Sequence, residues 1–266
     1  MTLDRVGPVV MIGCGNMGGA MLRRWVAAGL PGERVTAVTR SRRELPPGVR
    51  WSQAPPEDAR PAVLVLAVKP QQLGEVAPGL RDSRPDLLLS ILAGVEEDAL
   101  RRRFDADAVV RAMPNLPIAI GRGVTGLFSS TADASARAAA EALCAPLGAY
   151  EWIAEERLFD AVTALAGSGP GFTFRFVDAL ARAGQALGLP EDQARRLALA
   201  TVEGSAVMAA GSDESPAALA DRVASPGGST REGLNVLDRD DALVRLLAET
   251  LAASERRNRE MAAAAR

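Results

Sequence analysis

Val9-Val10-Met11-Ile12-Gly13-Cys14-Gly15-Asn16-Met17-Gly18 is the stretch that decides how this 266-residue chain folds. Four uninterrupted apolar residues read as a strand buried on both faces, the pattern of a parallel sheet. They run into Gly-x-Gly-x-x-Gly, and residues 17–28 continue with helical character until Gly29 and Pro31 close the helix. A bare glycine triplet is weak evidence, but between a strand and a helix it has a mechanical meaning. Gly13 permits a tight turn, Gly15 lets a pyrophosphate approach the backbone, and Gly18 lets the helix lie close to the sheet. The unpaired N–H groups of the helix start then face an anion.

Outward from this unit, apolar runs at 35–39, 62–68, 87–91, 109–113 and 124–128 predict further strands. Helical stretches fall between them near 72–80, 96–104 and 132–147. Such alternation implies parallel pairing through right-handed crossovers. The fold class expected is therefore α/β, with a Rossmann-type doubly wound parallel sheet over residues 1–154. No strand is predicted beyond about 155. Helices are expected at 158–165, 171–187, 191–210, 216–223, 230–237 and 241–264, with Gly188 and Pro190 as punctuation. Ala179, Ala183 and Ala186, like Ala194, Ala198 and Ala209, suit close helix packing. This half is too alanine-rich and elongated to stand alone, so residues 155–266 are expected to form an all-α domain that packs against a second copy. The one low-complexity tract is the terminal alanine run 262–265.

Composition narrows the chemistry. With 48% apolar residues the chain is not disordered, and a formal charge of -2 leaves no footprint for nucleic acid. No apolar run reaches the length of a membrane span, and residues 1–8 lack the pattern of a signal peptide. The two cysteines, Cys14 and Cys144, read as buried thiols in a cytoplasmic protein. There is no histidine, which argues against Ser-His-Asp hydrolysis and typical zinc sites, so no metal is expected. Among 31 cationic side chains one is lysine, Lys69.

The strand ends carry the candidate ligand contacts. About 20 residues beyond Gly18, where an NAD site usually places a carboxylate, the chain reads Val38-Thr39-Arg40-Ser41-Arg42-Arg43, and no carboxylate occurs until Glu44. Hydroxyls and arginines suit a 2′-phosphate, which favours NADP(H) over NAD(H). Ala67-Val68-Lys69-Pro70 ends the third predicted strand, which aims Lys69 at cofactor or substrate. Ser90-Ile91-Leu92-Ala93-Gly94 offers small residues to a flat ring, and Asn115 is a neutral donor and acceptor where nicotinamide is expected. In the helical half, Ser225-Pro226-Gly227-Gly228-Ser229-Thr230 gathers hydroxyls and free backbone N–H groups at a helix start, a site suited to a carboxylate.

GCGNMG (13–18), AVKPQ (67–71), SILAG (90–94), RAMPNLP (111–117), DAVTALAGSGP (160–170) and SPGGST (225–230) together resemble the pyrroline-5-carboxylate reductase family over residues 8–262. The last two motifs are the specific ones. The resemblance implies a Rossmann domain followed by a helical dimerisation domain, dimers that assemble further into decamers, NADPH or NADH as cofactor and no metal. It implies reduction of 1-pyrroline-5-carboxylate to L-proline. Carried over residue by residue, cofactor contacts fall on Ile12, Gly13, Cys14, Gly15, Asn16 and Met17, on Thr39 and Ser41, on Ala67, Val68, Lys69 and Pro70, and on Ile91, Leu92 and Ala93. Gly18, Arg40 and Asn115 join them from the reading above. Substrate contacts fall on Ser225, Gly227, Gly228, Ser229 and Thr230, with Thr230 bonding the imine nitrogen and Glu156 and Thr163 beside the ring. Gly171-Phe172 stands where the family has Ala-Tyr, Ala54-Pro55 where an adenosine-side Asn is often found, and Arg222 where an Asn can lie beside the substrate.

The residue set favours an imine over a ketone. Hydride addition to a ketone leaves an alkoxide that needs a positioned acid, and this chain offers no histidine, one lysine and one tyrosine, Tyr150. Hydride addition to a protonated imine leaves a neutral amine, so positioning is what the protein must supply. Three alternatives stay open at the sequence level: a 3-hydroxyacid-type dehydrogenase, a reductase of another cyclic imine, and a non-catalytic NADP-sensing protein.

Overall fold

In the computed structural model, which describes residues 1–56 and 60–264, eight strands form one sheet. They are β1 (Val9–Ile12), β2 (Val35–Val38), β3 (Arg50–Ser52), β4 (Val63–Leu66), β5 (Leu87–Ser90), β6 (Ala108–Pro114), β7 (Gly123–Phe128) and β8 (Gly148–Trp152). Between them lie α1 (Asn16–Ala27), α2 (Leu73–Val76), α3 (Glu97–Arg101) and α4 (Ala134–Cys144). The strand order is β3-β2-β1-β4-β5-β6-β7-β8. Its first six places follow the order of a dinucleotide-binding sheet. Val9 of β1 is in register with Val35 on one side and Val63 on the other. The chain thus leaves β1 first one way and then the other, and a crevice opens at the carboxyl ends of these strands.

Strand side chains alternate between faces, and each face fills its own core. Met11, Val65 and Leu89 pack with Leu22 and Trp25 of α1 and Leu143 of α4, whereas Ile12, Leu66 and Leu88 pack with Leu73, Leu80, Leu100 and Phe104. Every residue of β1, β2, β4 and β5 is buried, which is why they read as apolar runs broken only by Thr36 in β2 and Ser90 at the end of β5. Trp25 donates its indole N–H to the Leu143 carbonyl at 2.6 Å and ties α1 to α4. Asp133 caps α4 by accepting the Ala136 N–H at 2.8 Å.

The structure corrects the expectation of parallel pairing throughout. β6 and β7 are antiparallel, Met113 facing Gly126, and β8 then runs parallel to β7. Residues 115–122 are too few for a crossover, which needs a dozen or more; they form a tight turn closed by Gly121 at φ +70°. Strands β3 and β8 were not expected. Both have exposed positions, and their short polar-apolar mixtures lack the long apolar run of the central strands. The expected helix at 72–80 is helical throughout, but only α2 is α-helical, with 3-10 turns at Pro70–Gln72 and Ala77–Leu80 on either side; the one expected at 96–104 shortens to α3.

The first compact unit, Met1–Ser168, also takes in the stretch from Ser254 onward, while Gly169–Ala253 forms a second. Following the sheet, α5 (Phe159–Val162) passes into a π-helical turn, Thr163–Gly167. Then come α6 (Gly169–Ala186), α7 (Glu191–Ala210), α8 (Pro216–Arg222), α9 (Ser229–Asp238) and α10 (Ala242–Ala264); position 265 of the alanine run lies outside the described residues. In the second unit α6 and α7 form a hairpin through Gly188, at φ +99°. Ala181, Ala194, Ala198 and Ala224 are its buried apolar residues among those described, while Phe174, Leu199, Val207, Met208, Val236 and Leu246 are each at least 56% exposed. A unit with an alanine interior and an apolar exterior leaves its main hydrophobic face to be covered by another surface. No helix among the described residues is long and apolar enough to cross a membrane.

Candidate active site

The glycine loop is held between β2 and β4. Gly13 donates its N–H to the Val38 carbonyl at 2.9 Å, and Ala67 donates to the Ile12 carbonyl at 2.8 Å. At φ +88°, Gly13 adopts a conformation that side chains resist, and a Cβ on it would lie 2.6 Å from the Ala67 carbonyl oxygen. A Cβ on Gly18 would lie 3.0 Å from the Ala67 Cβ, so this glycine sets how closely α1 approaches the sheet. Gly15 differs: a Cβ there would meet nothing within 4 Å. Its open face and the uncapped start of α1, with Asn16 exposed and Met17 half-buried, leave backbone N–H groups for an anion. Burial raises the pKa of the Cys14 thiol, so it stays neutral and adds no repulsion there.

A cavity of about 480 Å³ extends from this loop along the carboxyl ends of β1, β2 and β4. Ile12, Gly13, Cys14 and Gly15 line one end, and Thr39, Arg40, Ser41 and Arg43 line the wall beyond β2. Ala67, Val68 and Lys69 line it from β4, and Pro70 opens the turn that leaves it. Thr39 Oγ1 donates to the Ser41 carbonyl at 2.8 Å and accepts the Trp51 indole N–H at 2.9 Å, which fixes this wall to edge strand β3. Arg40 pairs with Glu75 of α2 at 2.5 Å. Gln53, Ala54 and Pro55 also border the cavity. Gln53, Trp51 and Glu75 were missed by sequence reasoning, since no motif contains them.

Five predicted residues are committed to the scaffold instead of lining the cavity. Asn115 is 7% exposed; its Nδ2 donates to the Ala166 carbonyl at 3.0 Å, and its Oδ1 accepts the Val124 N–H at 2.9 Å. The expected free amide beside nicotinamide is thus a clamp between β6, β7 and the π-helical turn. Glu156 Oε1 accepts from Arg111 Nη1 at 2.7 Å and from the Glu97 N–H at 2.7 Å. Arg111, on β6, is 4% exposed and also lies 4.2 Å over the Phe159 ring. Thr163 Oγ1 donates to the Phe159 carbonyl at 2.8 Å. Leu92 is buried in the core with Leu66 and Leu88, and Ile91, whose N–H donates to the Leu66 carbonyl at 3.0 Å, packs against the opposite core with Met11 and Leu89; Ala93 is exposed at the strand end.

In the second unit, residues 225–230 form a turn that opens α9. The Gly228 N–H donates to the Ser225 carbonyl at 2.9 Å, Gly227 has φ +69°, and a Cβ on Gly228 would lie 2.5 Å from Ser225 Oγ. No side chain caps α9. Ser225, Ser229 and Thr230 are exposed, and among the described residues their hydroxyls have no hydrogen-bond partner. Arg222, which stands where the family can have an Asn beside the substrate, is paired with Glu214 at 2.6 Å, and Arg231 is paired with Asp221 at 2.7 Å.

A glycine loop at the switch point of a doubly wound sheet, a cavity with a cationic far wall and a separate anion-ready helix start define a nicotinamide-dinucleotide oxidoreductase. Residues 8–94 match the family described as NADP oxidoreductase, coenzyme F420-dependent, and residues 156–261 match pyrroline-5-carboxylate reductase dimerisation. Over 202 residues the chain is 39% identical to pyrroline-5-carboxylate reductase of Synechocystis sp., covering 75% of this chain and 74% of that one. A pyrroline-5-carboxylate reductase from Coxiella burnetii superposes with a TM-score of 0.88 at 32% identity, covering 96% of this chain and 98% of that one. The Plasmodium falciparum pyrroline carboxylate reductase with NADP bound superposes with a TM-score of 0.81 at 26% identity, covering 97% and 99%. The chain belongs to the pyrroline-5-carboxylate reductase family, and its helical part carries that family's dimerisation domain. The open face of Gly15 and the Thr39–Arg43 wall fit NADP(H) as its cofactor.

Proposed function

We propose that this chain reduces (S)-1-pyrroline-5-carboxylate to L-proline with NADPH, NADH serving as a second donor. The observation that carries the reading is the 225–230 turn, whose exposed hydroxyls and uncapped helix start are poised for a small carboxylate. When bound, NADPH supplies the hydride that adds to C5 of the ring. The chain's own groups position. The Gly13–Gly15 backbone and the start of α1 hold the pyrophosphate, and Thr39, Arg40, Ser41 and Arg43 hold the 2′-phosphate. Lys69 lies on the same cavity and adds a cation beside the phosphates. The N–H groups at Gly227 and Ser229, with the Ser225 and Ser229 hydroxyls, hold the substrate carboxylate in a turn that Gly228 closes through its bond to the Ser225 carbonyl, and Thr230 Oγ1 accepts the N–H of the protonated imine. As the C=N π electrons move onto nitrogen, a neutral amine forms and takes its second proton from solvent, so no histidine is needed.

A 3-hydroxyacid oxidoreductase needs a cationic acid at the reacting carbon, and the only lysine, Lys69, belongs to the dinucleotide cavity. The helical unit's apolar exterior supports a homodimer; further assembly of dimers into a decamer and a cytoplasmic location belong to the same proposal through the family resemblance. Thr230→Ala should raise KM and lower kcat for pyrroline-5-carboxylate at least tenfold in kcat/KM, the loss of about 1.4 kcal/mol that one charge-assisted hydrogen bond supplies. The dissociation constant for NADPH should stay within twofold. Unchanged turnover would remove Thr230 from the mechanism.

A further inference from the structure

The far wall of the dinucleotide cavity is not uniformly cationic. Across from Thr39, Ser41 and Arg43, the carboxylate of Glu75 lines the same cavity from α2 and pairs with Arg40 at 2.5 Å. The pair is open to water, the two side chains being 70% and 63% exposed. An ion pair in that setting contributes little to stability. A phosphate monoester carries nearly twice the charge of a carboxylate and three acceptor oxygens, so it can take Arg40 from Glu75. In doing so it strands Glu75 in the same cavity as a like charge.

We infer that Glu75 is a specificity-determining residue of this pocket: its carboxylate competes with the 2′-phosphate for Arg40 and holds down the preference for NADPH over NADH. NAD-type sites place a carboxylate at the end of the second strand. Here that place is taken by Thr39 and Arg40, and an acidic group returns from α2, at Glu75, 35 residues beyond Arg40 in sequence. The pocket thereby contains both a phosphate receptor and its built-in rival. The inference rests on the reading of Arg40 as a 2′-phosphate contact.

Titration calorimetry of the full-length protein with 2′,5′-ADP and with 5′-AMP, which lacks the 2′-phosphate, separates the two readings. Wild type, Arg40→Gln, Glu75→Gln and the double variant are compared at one low ionic strength. Arg40→Gln should weaken 2′,5′-ADP about tenfold, the worth of a charge-assisted contact. Glu75→Gln should tighten it about three- to fivefold, the scale of an exposed ion pair. Both should leave 5′-AMP within about twofold. The gain from Glu75→Gln should shrink once Arg40 is already gone. If Glu75→Gln leaves 2′,5′-ADP unchanged or weaker while Arg40→Gln still weakens it, the role of Glu75 falls and the 2′-phosphate wall stands. An equal gain with and without Arg40 also overturns the competition. No effect of Arg40→Gln overturns both readings.

Discussion

Gly13 and Gly15 sit two residues apart and do different work. Gly13 is required by the fold: φ +88° and the Ala67 carbonyl 2.6 Å from a notional Cβ leave no room for a side chain. Gly15 has space around it, so nothing in the protein itself demands glycine there. Gly13→Ala should therefore lose about 1–3 kcal/mol from backbone strain alone, read as a lower urea midpoint. Gly15→Ala should melt like wild type yet bind NADPH at least tenfold more weakly, because the added methyl occupies the phosphate's approach. A Gly15→Ala variant that binds NADPH normally would contradict the placement of the pyrophosphate. This division of labour was legible in the sequence because a Gly-x-Gly-x-x-Gly between strand and helix has one geometry. The inward commitment of Glu156 and Asn115 was not, because their partners lie 45 and 51 residues away in sequence, on Arg111 and Ala166.

At the scale of elements, the central strands declared themselves and the margins did not. β1, β4 and β5 are buried on both faces, so their sequences are apolar runs interrupted only by Ser90 at the end of β5. Edge strand β8 carries only an alternation, half-buried at Gly148, Tyr150 and Trp152 and exposed at Ala149 and Glu151; that period of two was the available signal. The reversal of β7 depends on connection length, which apolar patterning does not encode. Arg111 is the one charged residue inside the otherwise apolar β6, and such a residue must bring a partner. Glu156 is that partner, and the pair, 5% and 28% exposed, fastens the 156–167 segment to the sheet. Glu156→Ala should cost about 2–3 kcal/mol, the low end for a broken buried pair since Glu156 keeps some water. Glu156→Gln keeps an acceptor for the Glu97 N–H and should cost about half as much. Denaturant melts of both variants test this; a Glu156→Gln protein with unchanged stability but a raised KM would instead return Glu156 to the substrate.

For the whole molecule, the decisive feature is the imbalance between the units. The sheet unit buries Leu, Val, Met and Trp, whereas the 169–253 unit buries alanines and exposes its large apolar side chains. Phe174 and Leu199 border a cavity of about 530 Å³ between α6 and α7. Charged groups there should oppose self-association: Phe174→Asp with Leu199→Asp should lower the assembled fraction at micromolar concentration by more than tenfold in sedimentation. An unchanged sedimentation profile would place the oligomer interface elsewhere. Chemistry and assembly meet in one claim, that a histidine-free chain with one lysine reduces a cyclic imine by positioning alone. The most direct test follows the loss of reduced nicotinamide absorbance when purified protein, NADPH and 1-pyrroline-5-carboxylate are mixed, with amino-acid analysis of the product. The expected result is enzyme-dependent NADPH oxidation matched mole for mole by L-proline; no oxidation with this imine, alongside turnover of a 3-hydroxyacid with NADP⁺, would contradict it.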